Sequence, residues 1–578
     1  MMPNSVRAIL TGVAAAMIGG CASPLDGGDS GLKPVAEALV EAELTQGGEP
    51  RLMLPGVETR IETTLAARRE ELDALTPATD ANWLTPEGLG LDSEAVESVQ
   101  VGRRSVVEAA LANNIDLQLA RLQPVISHES VVQAEAAFDL VLGAGTSRQH
   151  SKTPQQRAIV GNVPLGASES TRETWDFDGS LAKSLQSGGT VSLTTDLTRT
   201  SSDASGVTYD PNPAWSGVGT IGLDQPILRG FGRDVTLADI RLAGILEAQD
   251  VEALRASFQD VITDTESAWW NLAMQWRTLQ VRLWLLEAGM TVADVLEIRR
   301  DYDTSPADYA QAVATVEQRR SDVIQQQQAV QDASDALKVL MNDPDLPLSG
   351  SSILRPSGLM EAGEISVSPR ESIMTAMAHR PDLRQLAMSI DREAIDVEVA
   401  DNAMLPALDL QAQLSFQGLD DSATGSYSEV FHTDYINYLV GLSFEYPIGN
   451  RGAKARYRQA RQERAAAALK YSRGVQSAIA EVRDAIRSIS TNAELVDVTR
   501  SYRVAQAESM RTLQVEEDLI ANLTPTFLNL KLQTQAGLAN ARIAEFQAIA
   551  DFNVAIADLY RATGTTLQMH QINLSSQP

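Results

Sequence analysis

Cysteine and long apolar runs are both nearly missing from this chain, and each absence limits its architecture. One cysteine, Cys21, among 578 residues excludes an internal disulfide. No stretch approaches the run of about 18 apolar residues that a transmembrane helix needs, so a mature chain that crosses a membrane must do so with strands. Basic residues are outnumbered, 47 Lys and Arg against 76 Asp and Glu. The resulting net charge of −29 leaves no basic face for a nucleic-acid partner. Aromatics make up only 5%, while Ala, Gln, Leu and Val fill the middle and C-terminal stretches. That composition favours long helices over a compact globule. Catalytic signatures are missing too: there is no Walker loop, no HExxH and no nucleophile elbow. His128, His150, His379, His432 and His570 are scattered without ligand spacing. Nothing here argues for an enzyme, a cofactor or a metal site.

The lone cysteine is informative by position. Arg7 is followed by an apolar run from Ala8 to Ile18, too short to span a bilayer and shaped like a secretory signal. Met17-Ile18-Gly19-Gly20-Cys21 resembles the lipobox of bacterial lipoproteins, which implies cleavage after residue 20 and acylation of Cys21. In that resemblance Ala22 permits sorting to the outer membrane. Residues 22–103 alternate Gly, Pro and acidic residues with short helical runs such as Ile61–Leu75. They are expected to form a tether from the lipid, then a segment packed around the middle of the molecule.

Beyond residue 103 the chain follows one plan twice. Gln225-Pro226-Ile227 ends a strand-like stretch and opens a helical one, and Tyr446-Pro447-Ile448 does the same 221 residues later. Ser305-Pro306 recurs as Thr524-Pro525 at an offset of 219, and Asn114-Ile115-Asp116-Leu117 corresponds to Arg380-Pro381-Asp382-Leu383 at 266. Each half reads helix, strands, long helix, tip, returning helix. In the second half Leu408, Leu410, Ala412, Leu414 and Phe416 alternate with polar residues, as do Tyr438, Val440, Leu442, Phe444 and Tyr446 with their neighbours. Nine-residue strands with one apolar face suit a tilted crossing of a bilayer. In the first half, Trp175, Phe177 and Leu181, a turn at Ser187-Gly188-Gly189, Val191, Leu193 and Leu197, and a run through Ile221 and Leu223 leave open whether two strands or four cross.

The helical signal is stronger. Leu279, Leu283, Leu286, Met290 and Ala293 form one stripe, and Val281, Leu285, Ala288, Val292 and Val295 a second on nearly the opposite face. Two opposed faces suit a helix held between neighbours in a wall. Tyr309, Val316, Val323, Val330 and Leu337 repeat every seven residues, as in a coiled coil. Stretch 236–299 would span roughly 96 Å, and 107–137 with 306–341 together about 101 Å. Stretch 452–520 would span roughly 104 Å, against about 106 Å for 372–403 with 525–563.

Gln225-Pro226-Ile227-Leu228-Arg229-Gly230-Phe231-Gly232 resembles the strand-to-helix signature of the TolC-like outer-membrane efflux proteins. So do Arg380-Pro381-Asp382-Leu383, Leu405-Pro406 and Tyr446-Pro447-Ile448-Gly449, in this order and over about 104–564. The resemblance implies a mostly α fold with a β part: a trimeric outer-membrane β-barrel continued by a periplasmic α-helical barrel, with two tandem structural repeats per chain. The expected organisation is a signal peptide at 1–20, a lipid-anchored tether and equatorial segment at 21–103, repeats at 104–344 and 371–564, a linker at 345–370 and a tail at 565–578. The implied partners are two further copies in a homotrimer, a periplasmic adaptor, an inner-membrane pump and outer-membrane lipid. The expected role is the passive exit duct of a tripartite system for small molecules or drugs. The alternatives are the duct of a type I polypeptide secretion system and, from another class, a pore-less periplasmic coiled-coil scaffold.

Ser305-Pro306 and Thr524-Pro525 each put a hydroxyl at the N-cap and proline at the first helical position. By position, Ser305, Pro306, Ala307, Thr524, Pro525, Thr526 and Phe527 are the tips that meet the adaptor in the family. Family members with an aspartate ring carry it just after the second tip, where this chain has Leu530 and Gln533. The remaining candidates for a constriction are Asp301, Asp303, Asp308, Glu516, Glu517 and Asp518.

Overall fold

The computed structural model describes residues 52–54, 59–75 and 98–572, except 155, 157, 162, 166–168, 205–207, 301–303, 351, 359, 363–364, 433 and 520–523. Cys21 and the expected signal peptide lie outside the described residues. The chain divides into two compact units, one built on 125–249 and 386–470, the other on 29–124, 250–385 and 471–578.

The first unit centres on a six-stranded antiparallel sheet in the order β12-β11-β8-β7-β6-β3. Its strands are β3 (Leu140–Pro154), β6 (Glu169–Ser184), β7 (Thr190–Ala204), β8 (Ala214–Pro226), β11 (Ala407–Asp420) and β12 (Tyr435–Glu445). A separate short hairpin, β4 (Ala158–Val160) with β5 (Val163–Leu165), lies between β3 and β6. The first half therefore supplies four long strands. β3 carries no sustained alternation beyond Leu140, Leu142 and Ala144, which is why its sequence hides it. The turn from β6 to β7 is held to the strand-to-helix junction. Gln225 Nε2 donates to the Ser187 carbonyl (3.1 Å), and Ser187 Oγ donates back to Gln225 Oε1 (2.7 Å). Gly188, at φ +90°, lies so close to the Gly230 carbonyl that a Cβ would sit 2.1 Å from it. The Pro226-Ile227-Leu228-Arg229 junction is clamped in turn. Ile227 N donates to the Leu408 carbonyl (2.7 Å) and Gly230 N to Asn402 Oδ1 (2.7 Å).

In the second unit the ends of the long helices pack with shorter ones. Along the whole chain, the helices of six or more described residues are α1 (Arg60–Leu65), α2 (Arg69–Ala74), α3 (Arg103–Asn113), α4 (Ile115–Glu135), α5 (Ala238–Ile298), α6 (Pro306–Met341), α7 (Pro369–His379), α8 (Pro381–Asn402), α9 (Ala423–His432), α10 (Arg451–Leu519) and α11 (Pro525–Thr563). α5 and α10 have 61 and 69 residues, roughly 92 and 104 Å at 1.5 Å per residue. The expected single helices at 107–137 and 372–403 are each broken in two. Asn114 is buried and caps α4, its Oδ1 accepting from Leu117 N (3.1 Å). Pro381 opens α8, since it cannot donate within a continuing helix.

The scarce aromatics anchor the core. Trp269 and Trp270 meet edge to face, with centroids 4.9 Å apart. The indole N–H of Trp269 donates to Val101 O (3.2 Å) and that of Trp276 to Leu354 O (2.9 Å). Both acceptors lie in the parallel pair β2 (Ser98–Val101) and β9 (Ile353–Pro356). The two opposed stripes of α5 pack into different clusters: Leu279, Leu283 and Leu286 join the tryptophans, while Val281 and Leu285 pack with Ala539 and Phe546. Val316, Val323, Val330 and Leu337 of the seven-residue repeat are buried, as expected. Met290 departs from its stripe and is exposed.

Segment 59–75 docks on α10. Leu72 is buried against Val504, Ala507 and Met510, and Arg503 reaches Asp73 at 2.8 Å. Met53 and its neighbours in β1 (Leu52–Leu54) pair antiparallel with β10 (Ile365–Val367).

Candidate functional site

Two features carry functional geometry, one in each unit. The first is the pair of faces of the six-stranded sheet. The register places Leu142, Leu181, Leu193, Ile221, Leu414 and Tyr438 in one row across all six strands. On the opposite face lie Asp176 and Asp178 of β6, Asp196 of β7, Asp224 of β8, Asp409 of β11 and Glu445 of β12, with Arg172 as the one basic residue on that face among the described strand residues. Asp178 and Asp196 are directly opposed. Asp176 accepts from Thr198 Oγ1 (2.9 Å) and Ser147 Oγ (3.1 Å). The apolar face is bare where α9 does not cover it: Leu142, Tyr438, Val440, Leu442 and Phe444 are 67–83% exposed. One apolar face and one acidic, hydroxyl-rich face is the division between lipid and lumen in a membrane barrel. Strand edges remain open at β3 and β12.

The second feature is the pair of tips. Ser305 caps α6, its Oγ accepting from Asp308 N (3.1 Å) and donating to Asp308 Oδ2 (2.7 Å). Thr524 caps α11, accepting from Phe527 N (3.2 Å). Both predicted helix starts fall on the expected residue. Val292 and Leu296 of α5, Ala312 of α6 and Leu528 and Leu532 of α11 form one buried cluster, against which Tyr309 and Phe527 pack. Asn529 Nδ2 reaches Asp308 Oδ1 at 3.5 Å, so the two tips touch through polar groups as well. Ser305, Pro306, Ala307, Thr524 and Thr526 are exposed, whereas Pro525 and Phe527 are half-buried.

The acidic candidates separate accordingly. Asp301 and Asp303 lie outside the described residues. Asp308 is engaged by Ser305 and Asn529. Glu517 is paired with Lys531 Nζ at 2.8 and 2.5 Å. Glu516 and Asp518 stand exposed on the last turns of α10. Two residues the sequence reading passed over hold this region. Lys531 neutralises Glu517, and Arg319 is buried between α5, α6 and α11. Arg319 donates to Leu285 O (2.7 Å), Leu532 O (2.8 Å) and Gln535 Oε1 (3.2 Å). Burial pushes its guanidinium down to about 10. An arginine next to the exposed Arg320 in a Gln-rich helix gave no periodic signal for this. Among the described residues, no group of His, Cys, Asp and Glu is placed to hold a metal ion, and no helix is long and apolar enough to cross a membrane.

Along the chain, an open two-faced sheet and helices of this length give the protein a β part and a helical part. Residues 373–565 match the family described as outer membrane efflux protein, so the TolC-like resemblance carried by the sequence motifs holds. The fold is similar to that of the Campylobacter jejuni CmeC outer membrane channel, with a TM-score of 0.59 and 16% identity over 87% of this chain and 100% of that one. It is also similar to the open state of the Neisseria gonorrhoeae MtrE outer membrane channel (0.56, 18%, 85% and 97%). The outer membrane protein VceC from Vibrio cholerae is comparable (0.55, 16%, 80% and 96%). No curated protein matches the sequence.

Proposed function

We propose that three copies of this chain close their sheets into one barrel and act as the passive outer-membrane exit duct of an envelope-spanning export system. The observation that carries this reading is the six-stranded open sheet with one apolar and one polar face. Six strands cannot enclose a lumen, because the smallest closed barrels take about eight. Pairing β12 of one copy with β3 of the next removes every edge. The product has eighteen strands and is about 36 Å across between backbones, at a spacing of about 4.8 Å and a tilt of about 40°. Its polar faces line the lumen and its apolar faces meet lipid.

In this reading 104–344 and 371–564 are tandem repeats joined by 345–370, and their helices build a periplasmic α-helical barrel. Segment 21–103 ties the body to a lipid on Cys21 and packs around its equator. The tips at Ser305, Pro306 and Ala307 and at Thr524, Pro525, Thr526 and Phe527 dock a periplasmic adaptor, which in turn couples to an inner-membrane pump. Glu516 and Asp518 are the acidic residues best placed to line a constriction, since Glu517 and Asp308 are engaged elsewhere. The cargo is small molecules or drugs. The strand count favours a second reading, polypeptide export, because a barrel of about 36 Å admits more than a drug-sized solute.

Single cysteines on β3 and β12, placed in a Cys21→Ser background, test the assembly. Oxidation should link copies into closed trimers between those two strands, and links confined to dimers or missing altogether would sink the barrel reading. Fatty-acid analogue labelling, present in the parent and lost in Cys21→Ser, tests the anchor. Deleting the gene separates the cargo readings: increased drug susceptibility supports efflux, and loss of an extracellular polypeptide without it supports secretion.

A further inference from the structure

One helix has no part in the duct. α9 (Ala423–His432) joins β11 to β12 at the sheet end opposite the strand-to-helix junctions. It lies against the apolar face, where three glycines make room for it. A Cβ at Gly418 would stand 2.1 Å from the Ser426 carbonyl, and at Gly217 and Gly219 it would meet Val430 at 3.4 and 3.5 Å. Ser426 and Val430 are buried there, and the Tyr427 hydroxyl bonds Thr195 Oγ1 at 2.9 Å. Glu429 accepts from Leu419 N (2.9 Å), which ties the helix to the strand it leaves. Beside the helix is a cavity of about 710 Å³ lined by Leu142, Leu181, Leu193, Ile221, Phe416 and Phe431. Its size falls in the range of small-molecule sites, and its walls offer almost no polar partner.

We propose that this cavity binds the acyl chain of an outer-leaflet lipid. The proposal rests on the outer-membrane barrel reading above, which puts the apolar face in lipid and α9 on the distal side. The hydroxyls of Thr195 and Tyr427 in the lining are engaged with each other, so the largely apolar cavity holds water poorly, and its neighbours in a bilayer are hydrocarbon chains. Depth supports the same occupant. Register places Trp175, Arg148, Arg199 and Trp215 in one row on the same face, towards the distal end, and Arg148 stacks on Trp175 at 4.9 Å. Tryptophan and arginine in such a row mark the headgroup level. From Arg199 to Leu193 is six residues, about 20 Å along the strand and about 15 Å in depth at a tilt of about 40°. That is half of the roughly 30 Å hydrocarbon core, the reach of one leaflet's acyl chain. A chain whose headgroup sits at the Trp and Arg row therefore ends between Leu181, Leu193 and Ile221.

The test uses the full-length protein in phosphatidylcholine vesicles containing a minor fraction of phosphatidylcholine with a diazirine at the chain terminus. After irradiation, label should be enriched severalfold on peptides carrying Leu193, Ile221 and Val430 over those carrying Val440 and Leu442, which share the face but lie outside the cavity. Ile221→Trp and Leu193→Trp, which fill the cavity from different strands, should each abolish the enrichment while β12 keeps its label. Equal labelling of all these peptides, or enrichment that survives both fillings, overturns the site. Absence of label on β12 as well would instead overturn the membrane placement of the sheet.

Discussion

Neutralising three of the six acids on the polar sheet face should remove a large part of a cation preference of the pore. Asp176, Asp178 and Asp196 crowd neighbouring strands, with Asp178 directly opposite Asp196. Three per protomer become nine in a trimer, on a barrel whose carboxylates sit about 14 Å from the axis if the backbone radius is about 18 Å. One charge at about 14 Å in water contributes about 0.3 kcal/mol to an ion on the axis. Screening over a Debye length of about 10 Å at 0.1 M salt leaves about a quarter of that. Nine such charges then favour a cation by about 0.7 kcal/mol and disfavour an anion equally, about a tenfold difference in partition. At about 0.01 M, where the Debye length is about 30 Å, the effect more than doubles in free energy. Planar-bilayer reversal potentials across a KCl gradient should show cation preference for the parent. The Asp176→Asn, Asp178→Asn, Asp196→Asn variant should shift markedly towards zero, and further at low salt. An unchanged reversal potential in that variant would refute the assignment of this face to the lumen.

Thr526→Arg should leave heat-resistant oligomers intact yet abolish export, because Thr526 is exposed at the tip; normal export would remove the tip from the adaptor interface. Phe527→Glu should instead cost about 1–3 kcal/mol of stability, since the ring packs on the Val292 and Leu528 cluster; an unshifted melting temperature would contradict that packing. Gly418→Val should displace α9, for which proteolysis of 421–434 is the measure, and a resistant loop would argue against the close approach of Gly418 to Ser426. Asp497 is held above the usual carboxylate range by burial and by nearby Glu62, against the pull of Arg500, and its Oδ1 lacks a hydrogen-bond partner. A raised carboxyl pKa in the fold means a penalty that is present at neutral pH and relieved as pH falls through that pKa towards the ordinary value of about 3.9. Asp497→Asn should therefore increase hydrogen-exchange protection of α1 and α2 at pH 7 and give no gain near pH 4; equal gains at both would refute the electrostatic cause.

Periodic and punctuating signals were legible in the chain alone. Ser305-Pro306 and Thr524-Pro525 start α6 and α11 on the expected residue because an N-cap hydroxyl and a proline act within one turn, whatever packs around them. The opposed stripes of α5 and the seven-residue repeat of α6 follow from helix geometry and are satisfied by the clusters they meet. Alternation identified β11 and β12, which put a row of apolar side chains on one face of the sheet and mostly polar ones on the other.

What tertiary structure decided are the features that depend on partners distant in sequence. β3 alternates too weakly to be seen, and it is a strand because the whole length of β6 hydrogen-bonds to it. The number of long strands in the first half, left at two or four by pattern alone, is four because each finds an antiparallel neighbour. Glu517 and Asp308 looked like free acids along the chain, yet Lys531, fourteen residues on, and Asn529 of the other tip engage them. Gly217, Gly219 and Gly418 gave no local reason for their presence. Their role is the space they leave for a helix that packs across two strands, and only the folded sheet brings that space together.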